Sequence, residues 1–257
     1  MVESSYDLAA ICARDPDVLG FVDFTNWGAF AGASQQHPHS QRKSLTFATD
    51  PRQDREMAWC REVWKQSGRN PFDLLAEEEN EAGKRVIYDN GDVFIAAAFA
   101  PTCPDEIIIY PKHQVSNILQ TSAHNRRSTI CPVLGVFPAL FFYRGVTDLN
   151  IVVHQAPFSK MEEARDYYRW HMHIYPRRPR LPSDRAGAEI GFDLNIIDTL
   201  PENSAATVRD WYRSGPREEK VARLSNGEPN LHLMKEFKRI TNNGFGSHGV
   251  HDSCSRI

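Results

Sequence analysis

Apolar and polar positions alternate along several short stretches of this chain, and each such stretch predicts a half-buried strand. "VLGFVDFTN" (18–26) reads as a strand that runs into the glycine-rich turn "GAFAGAS". "KRVIYDNGDVFIAAAFA" reads as two β-rich runs joined by Asp89-Asn90-Gly91-Asp92, a strong hairpin signal. "DEIIIYPK" and "LNIVVHQAP" are further strands, the second carrying His154. In "YYRWHMHIYPR" the alternation puts Trp170, Met172 and Ile174 on one face and His171 and His173 on the other.

Helical spacing appears elsewhere. "SSYDLAAICARDPD" predicts a short helix that Pro16 helps to end, and "DREMAWCREVWKQ" (54–66) places Met57, Cys60 and Trp64 on one face before the break at "SGRNPFD". "SNILQTSAHNRRSTICPVLGVFPALFFYRG" has helical length, but Pro132 and Pro138 predict kinks or a break within it. "PENSAATVRDWYR" is a further helix, and the polar, glycine-bearing end from Pro216 onward is expected to be a loosely attached tail. The order strand, turn, His-x-His occurs twice, which suggests two related α+β units.

Composition narrows the class without naming a chemistry. With 257 residues, 41% of them hydrophobic, the chain can bury a sizeable core. A net charge of -3 creates no global field for nucleic acid or an anionic membrane, so any phosphate site must be local and neither is an expected partner. The N-terminus has no basic region followed by an apolar run, and no apolar run is long enough to span a bilayer, so a cytoplasmic location is expected. The five cysteines are far apart and include no C-x-x-C pair, so no disulfide framework or cysteine zinc knuckle is expected.

The histidine pairs are the candidate chemistry. In "NWGAFAGASQQHPHSQ" (26–41), His37 and His39 flank a proline, and Gln41 follows two residues later. A neutral imidazole leaves one ring nitrogen free to attack phosphorus near neutral pH. The two rings suit a division of labour, one as nucleophile and the other orienting or binding, with Gln41 donating to a phosphoryl oxygen that gains charge. Small residues from Gly28 to Ser34 let backbone approach a nucleotide closely, although most glycine-rich turns are purely structural. Downstream, His154, His171 and His173 together with Glu56 form a reasonable set of ligands for zinc or iron(II). Taken singly, each is more simply a satisfied core or surface residue; as a set they bind metal only if they converge.

"NWGAFAGASQQHPHSQ" resembles the active-site signature N-x-G-x-x-x-G-x-S-x-x-H-P-H-x-Q of the galactose-1-phosphate uridylyltransferase family within the histidine-triad superfamily. "DLLAEE", "RVIYDNGDVFIAAAFAP", "IIIYPKHQVSNI", "LNIVVHQAP", "YRWHMHIYPR" and "EIGFDLNIIDTLPENSAATVR" follow in the family's order, so the resemblance covers most of residues 6–213. It implies an α+β fold of antiparallel histidine-triad-like sheets with helices. It also implies a truncated first unit over residues 1–66, a complete second unit over 67–215 and a tail over 216–257. His39 would be the nucleophile that takes the nucleotidyl group, and Gln41 would hold the transferred phosphate. Asn26, Gly32 and Ser34 would lie along the nucleotide. Glu56, His154, His171 and His173 would hold a structural zinc or iron, and Glu189 matches a sugar-contacting carboxylate.

The chain also departs from the family pattern. The half-domain that precedes the signature in the family is not seen, so His37 has no visible partners for a zinc site. "RNPFD" stands at C-x-x-C-like positions, and Phe192-Asp193 replace the usual Thr-Gly. Nucleotidyl transfer from a nucleotide or nucleotide sugar to a phosphorylated acceptor is therefore the expected function. A nucleotide hydrolase or phosphorylase, or a degenerate nucleotide-binding or partner-binding protein, is the alternative. Because the 18–24 strand is expected to lack a neighbour on one side, a homodimer is expected to cover that edge.

Overall fold

The computed structural model of the protein describes residues 2–35, 39–47, 51–177, 187–192, 194–223 and 227–242. In chain order its elements are α1 (Val2–Cys12), β1 (Gly20–Trp27), β2 (His39–Leu45), α2 (Pro51–Ser67), α3 (Pro71–Ala82), β3 (Val86–Asp89), β4 (Val93–Ala97) and β5 (Ile107–Pro111). There follow α4 (Ala123–Val133), α5 (Val136–Arg144), β6 (Asp148–His154), α6 (Met161–Ala164), β7 (His171–Arg177), α7 (Gly187–Phe192), α8 (Pro201–Ser214) and α9 (Leu231–Asn242). The strands form one sheet in the order β2-β1-β6-β7-β5-β4-β3, with every pairing antiparallel.

Local chemistry sets the element ends. Asn70 caps α3 by accepting from the Phe72 amide at 3.0 Å, Pro71 occupies its first turn, and Gly83 closes it in the left-handed region. The apolar stretch expected to break does so at Leu134–Gly135: Pro132 falls in the last turn of α4 and Pro138 in the first turn of α5. Asp89 to Asp92 turn the β3–β4 hairpin, with Gly91 at φ +90°.

Helices cover both faces of the sheet. Val133, Leu140, Phe142, Val208 and Trp211 of α4, α5 and α8 pack on Ile95, Ile107, Ile109, Met172 and Ile174. On the other face, Met57, Cys60, Phe72 and Ala76 of α2 and α3 pack on Phe94, Ala96 and Tyr110. Each such large side chain contributes about 1.5–3 kcal/mol of burial. Strand β7 therefore sends Met172 and Ile174 into one core and His171 and His173 toward α2, as the alternation predicts.

Three expectations need correction. Strand β1 is paired on both sides, by β2 and by β6, so it offers no open edge for a second subunit; the outer strands are β2 and β3. The stretch from Pro216 is not wholly a loose tail, because Val221, Leu233 and Phe237 are buried in the main core. Finally, Cys131 is disulfide-bonded, although the cysteine spacing gave no sign of a disulfide. No helix among the described residues is long and apolar enough to cross a membrane.

Candidate active site and metal centre

Cross-strand register gathers the candidate residues onto the sheet face that α2 and α3 cover. His39 of β2 lies opposite Asn26 of β1, Asn26 opposite Asn150 of β6, and Asn150 opposite Tyr175 of β7. Directly paired residues share a face, so these four form one row across four strands. In the adjacent row on the same face, Gln41 pairs with Phe24, Phe24 with Val152, and Val152 with His173. His39 and Gln41 are half-buried, and β2 adds no residue to the buried clusters. His37 lies outside the described residues, as does Asp193.

The turn after β1 is held by contacts that require glycine. Gly28 has φ +89°, and a Cβ on it would stand 2.1 Å from Asp148 Oδ1. That same carboxylate oxygen accepts from the Phe30 amide at 2.9 Å, which fixes the turn against β6. Gly32 is also left-handed, at φ +79°, and Ser34 is exposed just beyond it. Gly28→Ala is expected to cost about 2–4 kcal/mol, through the backbone conformation and the displaced Asp148. Urea unfolding reads this directly, and a variant as stable as the parent would contradict the assigned packing.

Three imidazoles converge as the sequence suggested. His154, His171 and His173 can each offer one nitrogen to a metal ion, and these atoms all lie within 4.8 Å of one another. The Glu56 carboxylate joins them from α2, with Oε2 at 2.9 Å from His154 Nδ1 and Oε1 at 2.9 Å from His171 Nε2. The other ring nitrogens are fixed from behind. His171 Nδ1 donates to the Arg169 carbonyl at 2.9 Å, and His173 Nδ1 donates to Glu106 Oε1 at 2.8 Å. Each bond selects the tautomer that leaves Nε2 with its lone pair toward the cluster, the arrangement metal-binding histidines use.

The donor set fits a cation. His171 Nε2 is fully buried and makes no hydrogen bond of acceptable geometry, although Glu56 Oε1 is close. An orphaned lone pair next to two other imidazoles and a carboxylate is the mixed nitrogen and oxygen environment that zinc or iron(II) takes. The electrostatics agree. Burial works to raise the Glu56 carboxyl, but the facing imidazoles of His171 and His154 outweigh it and hold the group well below the usual carboxylate range. Burial works to lower the His171 imidazole, and the facing Glu56 carboxylate raises it instead. For His173 burial wins, aided by the charges of the two neighbouring histidines, and pushes it down to about 4, which keeps it neutral and able to ligate at physiological pH.

Sequence reasoning missed Glu106 and Asn150. Glu106 is buried and also accepts from the Thr102 amide and hydroxyl. It precedes β5 in a turn where Asp105 has φ +64°, and nothing in "PDEIII" distinguishes it from a solvated turn acid. Glu189, the expected sugar contact, lies half-buried on α7 between β7 and α8.

No family model matches the chain. Individual relatives do. The galactose-1-phosphate uridylyltransferase of Neurospora crassa is 27% identical over 196 residues, covering 73% of this chain and 48% of that protein. The ADP-glucose phosphorylase of Arabidopsis thaliana is 28% identical over 201 residues, covering 76% and 53%. Among solved structures, a uridylyltransferase superposes with a TM-score of 0.73 at 27% identity, covering 81% of this chain and 65% of that one. The chain spans about half the length of the curated relatives it matches. Matched signature, shared fold and recurrent relatives agree: in sequence and structure the chain is similar to the galactose-1-phosphate uridylyltransferases.

Proposed function

We propose that the protein is a nucleotidyltransferase that works by double displacement through a covalent nucleotidyl-histidine on His39. The observation that carries this reading is the row in which His39 faces Asn26, with Gln41 on the same face two residues along. In the first half-reaction a neutral His39 nitrogen attacks the α-phosphorus of a nucleotide sugar. The N–P bond forms as the P–O bond to the leaving sugar phosphate breaks, and that group departs with the bonding pair. In the second half-reaction a phosphate oxygen of the acceptor attacks the same phosphorus and the imidazole leaves neutral. Gln41 and Asn26 donate to oxygens that gain charge, the turn from Gly32 to Ser34 follows the nucleotide, and Glu189 contacts the sugar. To His37, the other imidazole of the signature, we assign the orienting role.

Glu56, His154, His171 and His173 would hold one zinc or iron ion, and as its ligands these half-buried and buried side chains would tie α2 to β6 and β7. Its role is structural. From β2 to β6 and β7 is two to three strand spacings, about 10–14 Å, too far for the ion to ligate an oxygen of the phosphorus bonded to His39. Residues 1–66 supply the nucleophile and residues 67–215 supply most of the metal centre, the division the two-unit reading implies. A homodimer, if formed, meets at a surface other than β1.

The Arabidopsis relative, named as an ADP-glucose phosphorylase, favours a second reading in which inorganic phosphate is the acceptor. One experiment tests both. Protein incubated with UDP-glucose or ADP-glucose labelled at the α-phosphorus is expected to retain acid-labile label. Release of that adduct by a hexose 1-phosphate supports the transferase, release by inorganic phosphate supports the phosphorylase, and release by water alone supports the hydrolase. A protein that binds nucleotide but never takes up label would sink all three and leave a binding protein.

A further inference from the structure

Asn150 of β6 stands in the same row as Asn26 and His39, and no feature of the signature points to it. Its side-chain nitrogen donates twice, to the Ala31 carbonyl and to Asn26 Oδ1, each at 2.8 Å. The backbone sets the polarity of this cluster. A carbonyl oxygen only accepts, so the Asn150 atom that faces Ala31 must be Nδ2. The same atom faces Asn26, which must therefore present Oδ1 there. The Asn26 nitrogen is thereby turned out of the cluster, toward the open side of Gly32, where a Cβ would stand 4.0 Å from it. Asn26 is committed as a donor, and Asn150 relays that commitment from the main-chain carbonyl of Ala31.

We propose that Asn150 is a positioning residue that orients the Asn26 amide as a hydrogen-bond donor to a phosphoryl oxygen of the bound nucleotide; this rests on the reading of His39 as the nucleophile. Directly paired residues have Cβ atoms about 4.5–5.5 Å apart, so the Asn26 amide reaches an oxygen on a phosphorus bonded to His39. That oxygen carries negative charge. A donor aimed at it stabilises it, whereas the carbonyl end of the same amide would repel it. Orientation of the Asn26 side chain, beyond its presence, thus becomes a determinant of binding. Asn150 also holds the turn after β1 together with Asp148, so its positioning effect must be separated from that support.

Asn150→Asp separates them because it keeps the size and reverses the polarity. A carboxylate only accepts, so it repels the Ala31 carbonyl and draws the Asn26 nitrogen inward, leaving the carbonyl end to face the phosphate. Calorimetric titration with UDP-glucose and ADP-glucose is expected to show affinity reduced by about tenfold or more, with zinc and iron content unchanged. Asn26→Ala is expected to lose a similar factor, and the double variant Asn26→Ala/Asn150→Asp no more than either alone, because Asn150 acts through Asn26. A residue that only supported the turn would give losses that multiply. Wild-type affinity in Asn150→Asp, or multiplied losses in the double variant, would overturn the inference while leaving the function intact. If Asn150→Asp does not fold, Asn150→Ala is carried through the same cycle with the same expected outcome. A wild-type protein that binds neither nucleotide sugar would overturn the function and the inference together.

Discussion

His39→Asn is expected to abolish the covalent nucleotidyl adduct and to slow transfer by about 10⁴-fold or more, while the protein stays folded. Asparagine can still hydrogen-bond from the same position, but its amide nitrogen has no available lone pair, so the N–P bond cannot form. The size of the effect follows from the chemistry: without the nucleophile the two half-reactions collapse into a single displacement for which nothing else in the row supplies an attacking atom. The fold should tolerate the change. His39 is half-buried at the start of outer strand β2, and no core cluster contains a β2 residue, so the stability cost should stay within about 1 kcal/mol. Label retention after mixing with UDP-glucose or ADP-glucose reads the adduct, and thermal unfolding reads the fold. A His39→Asn protein that turns over at the parent rate would remove His39 from the mechanism.

Much of this arrangement is legible in the amino-acid sequence. Alternation in "YYRWHMHIYPR" separates Met172 and Ile174 from His171 and His173, and the sheet keeps that separation because a pleated strand has no other way to dispose its side chains. Register between distant strands is another matter. That Asn26 sits between His39 and Asn150 depends on β6 pairing with β1 across more than a hundred residues, and one residue of slip would have turned Asn150 to the opposite face. The open edge expected at β1 failed for the same reason, since β6 supplies the missing neighbour from far along the chain. In the tail, "LHLMKEFKRI" hides its burial among charges: Leu233 and Phe237 are four apart and face the core, while Lys235 and Glu236 between them and Lys238 and Arg239 beyond make the stretch read as polar. Glu106 escaped notice because a buried acid is recognised by what it touches, here the back of His173.

His171→Ala is expected to empty the metal centre and to lower the melting temperature by roughly 10 °C, the largest stability effect of any single substitution considered. Three losses coincide at this residue. The side chain is 1% exposed and packs against the rings of Phe72 and Tyr168, so truncation leaves a cavity between α3 and β7. The half-buried Glu56 carboxylate loses a facing imidazole that helps keep it ionised, at a cost below the about 3–5 kcal/mol of a fully buried pair. The third loss is the ion itself, whose binding adds to folding stability when its ligands come from separate elements. The purified parent should carry close to one zinc or iron per chain and His171→Ala close to none, as elemental analysis will show. Packing and metal contributions are separated in the parent, where a chelator removes the ion and leaves every side chain in place. Chelation should lower the melting temperature but spare adduct formation in the fraction that stays folded, because His39 lies two to three strands away. Loss of the adduct at full folding would instead give the ion a part in the chemistry, and a parent that is metal-free as purified and indifferent to chelator would show that Glu56 and the three histidines form only an ion-paired core.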